Sequence, residues 1–224
     1  MKRLQDFLIF SIIVSCNPDR KVCEFTSDNE ELLIYNNILT DLVENRMHGR
    51  YLGGQEEKIR EEYYYDREEV DTAQIDNEFT KAHNELFNNP SRFCILYLDT
   101  TGRQRYFYDS LGLVPDADLK QLINEYTKDE RAAIDKLNDF PGYSLSNFGL
   151  CTARLEYGTA QADTTVCSIG RVRLSRPILN HKRIQGLMYY TWKCGELCGH
   201  GGLMRIHKVN EKWIIKDFEY WSVY

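Results

Sequence analysis

From Leu150 to Tyr224 the chain reads as an almost unbroken succession of strands, and this constrains the fold more than any other feature. Gly170 to Ser175, Ile184 to Trp192, Leu203 to Val209 and Trp213 to Trp221 are rich in β-branched and aromatic residues and are separated by turn-forming groups. Residues before this region follow the helical period instead. Leu32, Tyr35, Leu39 and Leu42, flanked by Ile38 and Val43, form one apolar stripe, which the Ser27 and Glu30 pair opens as a capping box. Ile75, Phe79, Ala82 and Leu86 form a second stripe, which stops at Asn88-Asn89-Pro90. A third helix is expected from about Asp116 to Tyr126. A fourth starts at the Thr127 and Glu130 box, runs through Ala133, Ile134 and Leu137, and ends before Pro141-Gly142. Phe93 to Leu98, Thr100-Thr101-Gly102 and Arg105 to Tyr108 read as a hairpin between the helical pairs. The expected class is therefore α+β, with helical N-terminal and middle segments packed on a mainly antiparallel sheet concentrated in the C-terminal third.

The other informative stretch is the start of the chain. Lys2 and Arg3 precede an apolar run from Phe7 to Val14, too short to span a bilayer and laid out as a secretory signal. The run closes on Ile13-Val14-Ser15-Cys16, whose aliphatic, aliphatic, small, Cys order resembles the lipobox of bacterial lipoproteins. That resemblance implies removal of residues 1–15, diacylglycerol on the Cys16 thiol and acylation of its freed amine. The partner would be the membrane, reached through an N-terminal lipid anchor, and the location the cell envelope. The expected organisation is a signal over 1–15, a lipidated tether over 16–27, and one globular α+β domain over 28–224.

With Cys16 assigned to lipid, six of the seven cysteines remain, an even set suited to disulfides in an oxidising compartment. Leu150 to Cys167 reads as two strands around a turn centred on Thr159, which would set Cys151 opposite Cys167. Cys194 and Cys198 flank Gly195-Glu196-Leu197 and can close a tight loop. Cys23 with Cys94 follows by elimination.

The C-terminal third carries a second resemblance. Its Gly170-to-Pro177 strand contains Leu174-Ser175-Arg176, its turn is Cys194-Gly195-Glu196-Leu197-Cys198-Gly199, and its last hairpin ends in Lys212-Trp213. Together they resemble uncharacterised bacterial lipoproteins and exported proteins with a Leu-Ser-Arg strand, a Cys-Gly-x-Leu-Cys-Gly turn and a terminal Lys-Trp hairpin. The chain departs from that pattern at Pro177 and at Asn210-Glu211, and the resemblance brings no activity with it.

Candidate chemistry centres on the glycine-cysteine turn. Glu196, Gly199, His200 and Gly201 form a candidate binding loop whose amides could receive an anion or a peptide carboxylate, against the alternative that the loop only fixes hairpin register. Cys194, Cys198, His200 and His207 could together hold zinc, but export favours a disulfide, so no metal and no cofactor is expected. A redox or nucleophilic thiol served by His200 is another reading of the same residues. Gln55 to Asp71 carries eight carboxylates, three basic residues and Tyr63-Tyr64-Tyr65, and reads as an exposed helix or loop. Without residues 1–15 the chain holds 26 basic and 33 acidic side chains, a net charge of −7 that opposes nucleic-acid binding. The ten basic residues of 171–224, against four acidic ones, are expected to complement the acidic remainder within one fold. No phosphate-binding glycine loop, nucleophile elbow or His-Glu-x-x-His is present, and no catalytic residue is assigned. The expected role is a non-enzymatic binding or assembly module with a protein or peptide partner in the envelope. The alternative is an envelope hydrolase or metal-dependent activity centred near His200.

Overall fold

A computed structural model describes residues 19–65, 72–99, 117–139, 142–158, 167–195, 198–218 and 222–223. The lipobox, the Arg105 to Tyr108 strand, the Thr159 turn and Glu196 lie outside the described residues. The helices are α1 (Glu30–Asp41), which runs on into a π-helical turn at Leu42–Arg46, α2 (Gln55–Arg60), α3 (Thr72–Phe87), α4 (Ala117–Tyr126) and α5 (Glu130–Asn138). The strands are β1 (Cys94–Leu98), β2 (Ala153–Tyr157), β3 (Ser168–Leu174), β4 (Ile178–Leu179), β5 (Gln185–Gly195), β6 (Cys198–Val209), β7 (Lys212–Phe218) and β8 (Ser222–Val223). They form one sheet in the order β2-β1-β3-β5-β6-β7, with β4 beside β5 and β8 beside β6. The class is α+β, as the hydrophobic patterning predicts.

Alternation along β5 explains why helices cover both faces of the sheet. Met188, Tyr190 and Trp192 join the cluster that contains Ile34, Ile38 and Leu42 of the α1 segment. Leu187 and Tyr189, one residue out of phase, join Leu122, Ile123, Ala133 and Leu137 of α4 and α5. On the first face α1 also closes the β7 edge. The Ile215 amide donates to Asp41 Oδ2 at 2.8 Å, and its carbonyl accepts from Arg46 Nη2 at 3.0 Å. At that residue both polar groups are already taken, which removes a docking point for a further strand.

Both helix starts differ from the sequence expectation in the same way. Asn29 caps α1, its side chain accepting from Leu32 N at 3.1 Å, while Ser27 Oγ accepts from Asn29 N. Asp129 caps α5 through Ala132 N, and Thr127 Oγ1 accepts from Asp129 N. The Ser and Thr of the two expected boxes thus brace the capping residue rather than cap the helix, because Asn and Asp two positions later reach the free amides at least as well.

The expected Cys151 to Cys167 hairpin is replaced by a parallel arrangement. β1 lies between β2 and β3 and is parallel to both, so the strands following Cys151 and Cys167 are not neighbours. Cys94 pairs with Cys167 and Cys23 with Cys151, correcting the Cys151–Cys167 and Cys23–Cys94 pairings. Cys194 and Cys198 are bonded to each other as expected. Both edges of β1 are also occupied along its length. Three disulfides among the described residues fit an oxidising, exported environment. No helix among the described residues is long and apolar enough to cross a membrane.

The expected tether belongs to the body of the fold from Asp19 onward. Lys21 N donates to Asn84 Oδ1 at 2.8 Å, His83 Nε2 meets Lys21 O at 3.0 Å, and Arg20 Nη1 donates to Asn45 Oδ1 at 3.2 Å. The Cys23–Cys151 bond then locks the segment down.

Candidate functional site

The chain leaving α1 reverses through two consecutive left-handed residues, His48 at φ 48° and Gly49 at φ 67°. Gly49 adopts the second of these without the strain a side chain would bring. The reversal sets residues 50–52 against β1 and β3 and leaves a cleft of about 890 Å³. Arg50, Glu57, Arg60 and Glu61 line it, together with His48 and Cys167. Arg60 is committed to Glu56 by a 2.7 Å ion pair one helical turn away. Arg50 has no carboxylate partner among the described residues; its guanidinium carbon lies 5.7 Å from the Trp192 ring and its Nη2 3.5 Å from Cys198 Sγ. It is a cation held by an aromatic face and a sulfur in a cleft that Glu56, Glu57 and Glu61 also line.

Trp192 can serve as that platform because β3 makes room for it. A Cβ on Gly170, whose φ is 123°, would fall 2.7 Å from Trp192 Nε1 and 2.5 Å from Lys193 O. The indole, 2 % exposed, instead donates from Nε1 to Ile169 O at 3.1 Å. His200 packs against the same ring, centroids 4.9 Å apart, and its Nδ1 is 2.7 Å from Tyr190 Oη. Burial, with a smaller contribution from His48, holds the His200 imidazole below its ordinary pKa, and burial raises the Tyr190 hydroxyl. The pair, with Tyr190 buried and His200 half-buried, is a neutral hydrogen-bonded unit at ordinary pH.

The sequence-nominated residues divide accordingly. Cys198 and Cys194 lie beside the cleft, and His200 lies behind Trp192. Gly199 and Gly201 belong to β6, where added Cβ atoms would meet Trp192 O at 2.5 Å and Tyr190 O at 2.9 Å. Close strand packing accounts for both glycines, and their strand pairs with β5 at Lys193 and Thr191. Among the described residues no group of three or more His, Cys, Asp or Glu is placed to hold a metal ion, and the disulfide takes both thiols of the considered zinc set. Of the acidic tract, Glu56, Glu57 and Glu61 reach the cleft, whereas Tyr63 is buried.

The Leu174-Ser175-Arg176 element has its own structural work. Ser175 is fully buried; its Oγ accepts from Tyr189 N at 2.8 Å and donates to Arg176 O at 3.1 Å, and its carbonyl accepts from Tyr35 Oη at 3.0 Å. The basic final quarter is complemented internally: Arg173 bonds Asp99 at 2.6 Å, Arg176 lies 3.6 Å from Glu31 and 2.8 Å from Asp139, and Arg183 pairs with Glu30. Arg50 and Trp192 were not singled out by sequence reasoning, and the signal that bears on them is the His48-Gly49-Arg50 turn directly after the first apolar stripe. No family model, curated protein or solved structure matches the chain.

Proposed function

We propose that this is a lipid-anchored cell-envelope protein whose cleft binds a protein or peptide partner through an exposed carboxylate. The observation that carries the reading is Arg50, a cation without a carboxylate partner among the described residues, seated on Trp192 at the rim of the 890 Å³ cleft. A planar guanidinium with free donors suits a carboxylate bidentately, and its aromatic support reduces the freedom lost on binding. The rim carboxylates Glu57 and Glu61 would repel an acidic ligand that enters in the wrong orientation. The anchor part of the reading is supported by the lipobox-like Ile13-Val14-Ser15-Cys16 and by the even cysteine set left once Cys16 is assigned to lipid. With Cys16 acylated, only Asn17 and Pro18 separate the anchor from the bound segment at Asp19, so the domain would ride within about 10 Å of the bilayer surface.

The anchor is tested by intact mass of detergent-extracted protein, which should show residues 1–15 removed and acyl chains on Cys16, and by Cys16→Ser, which should abolish both the acyl mass and the cleavage. Binding is tested by cross-linking in envelope preparations, comparing wild type with Arg50→Ala. A partner captured equally by both proteins would remove the cleft from the proposal.

A further inference from the structure

Three disulfides hold the described fold together, but they are not equivalent. Cys23–Cys151 and Cys94–Cys167 join residues 128 and 73 positions apart, whereas Cys194–Cys198 spans a separation of 4. The last closes the end of a hairpin that is already aligned by the β5–β6 ladder, with Lys193 opposite Gly199 and Trp192 opposite His200. Opening it therefore removes little of the constraint on the unfolded chain and leaves its two sulfurs side by side. Opening Cys94–Cys167 is different, because Cys94 is 2 % exposed and a thiolate expelled there would stand in the core.

The second distinction is electrostatic. Arg50 Nη2 lies 3.5 Å from Cys198 Sγ, and both Cys194 and Cys198 are half-exposed. A guanidinium at that distance favours the thiolate over the thiol and so makes Cys198 the better leaving group of the pair. We infer that Cys194–Cys198 is a reversible redox site that exchanges with a dithiol reductant, with Cys194 as the attacked sulfur and Cys198 as the thiolate held by Arg50.

The exchange balances as follows. One thiolate of the reductant bonds to Cys194 Sγ; the Cys194–Cys198 bond breaks and its electron pair leaves on Cys198 Sγ beside Arg50. The reductant's second thiolate then attacks its own sulfur in the mixed disulfide and expels Cys194, which takes a proton from solvent. The protein gains two electrons, and the reductant becomes a disulfide. Reoxidation by an oxidised dithiol runs the same steps backward.

The test uses the folded protein from Asn17 onward, with dithiothreitol as reductant and no binding partner, so its outcome is independent of the cleft proposal. Quenching by alkylation at intervals and peptide mass spectrometry should find Cys194 and Cys198 modified first, while Cys23–Cys151 and Cys94–Cys167 remain closed and the circular dichroism is unchanged. Arg50→Gln should slow that first opening severalfold, Arg50→Lys should retain most of the rate, and Lys81→Gln, on the exposed face of α3, should have no effect. In Cys194→Ser, the pH midpoint for iodoacetamide reaction at Cys198 should lie roughly one unit below the ordinary thiol value of about 8.5, and adding Arg50→Gln should return it there. Opening of either long-range bond first, or an alkylation midpoint unaffected by Arg50→Gln in a folded protein, overturns the inference.

Discussion

Replacing Gly170 with Ala tests how the sheet makes room for the Trp192 platform. Two costs are built into the site. Gly170 has φ 123°, a region that is strained for any residue with a side chain, at roughly 1–3 kcal/mol. The added methyl would also stand 2.5 Å from Lys193 O and 3.2 Å from Cys194 Cα, both backbone atoms of the neighbouring strand that cannot swing aside. Forcing such contacts in a packed interior costs roughly another 1–3 kcal/mol. A loss of about 4 kcal/mol, at 2–4 °C per kcal/mol for a domain of this size, lowers the thermal midpoint by roughly 8–16 °C. Gly54→Ala is the matched control, since Gly54 has φ −71° and nothing within 4 Å of the added atom, and it should stay within about 2 °C of wild type. Thermal unfolding followed by far-ultraviolet circular dichroism measures both, and tryptophan emission reports displacement of the indole. If Gly170→Ala melts within 2 °C of Gly54→Ala, the close approach of β3 to Trp192 is wrong, and with it the platform beneath Arg50.

Non-reducing digestion should release peptides joined as Cys23–Cys151, Cys94–Cys167 and Cys194–Cys198, whereas a Cys151–Cys167 peptide would contradict the parallel placement of β1 between β2 and β3. Ser175→Ala removes the side-chain acceptor of the Tyr189 amide and should cost roughly 1–3 kcal/mol in urea unfolding. His83, His200 and His207 are all depressed by burial, so the unfolded chain takes up their protons first. Stability should therefore be fullest above pH 6.5 and fall as the pH drops through 6.5 toward the lowered folded values. His200→Gln should reduce that slope, as measured by urea midpoints between pH 7.5 and 5.5. Glu44, raised by burial, works in the opposite sense: its folded form protonates first as the pH falls toward the carboxylate range. Glu44→Gln should accordingly leave the urea midpoint at pH 7 unchanged or higher, provided the substituted amide still accepts from Thr152.

Local pattern carried the helices and the antiparallel strands. The stripe from Ile75 to Leu86 lies on α3, and the run from Gly170 to Ser175 covers most of β3, because each element buries one face and its period is written in adjacent residues. What the pattern could not carry was pairing over distance. Cys151 and Cys167 flank two strand-like runs separated by a turn-forming segment, which locally favours a hairpin, yet β1, from more than fifty residues earlier, is inserted between those strands. The same limit hid the cleft. Arg50 follows an α1-to-α2 reversal and Trp192 belongs to β5, and only the sheet order brings the cation over the ring. The glycine-cysteine turn drew attention for its loop chemistry, whereas Gly199 and Gly201 are explained by how closely two strands approach.

The Cys23–Cys151 bond also has a mechanical meaning for a domain tethered at Cys16. Force applied through the anchor reaches the fold at Asp19 and meets a covalent stop at Cys23. However hard the lipid is pulled, only the seven peptide units between Cys16 and Cys23 can extend, a length of about 25 Å. Beyond that point the load crosses the disulfide to Cys151 and the segment leading into β2, and the loop closed between the two cysteines, α1 included, cannot be drawn out without breaking a sulfur–sulfur bond.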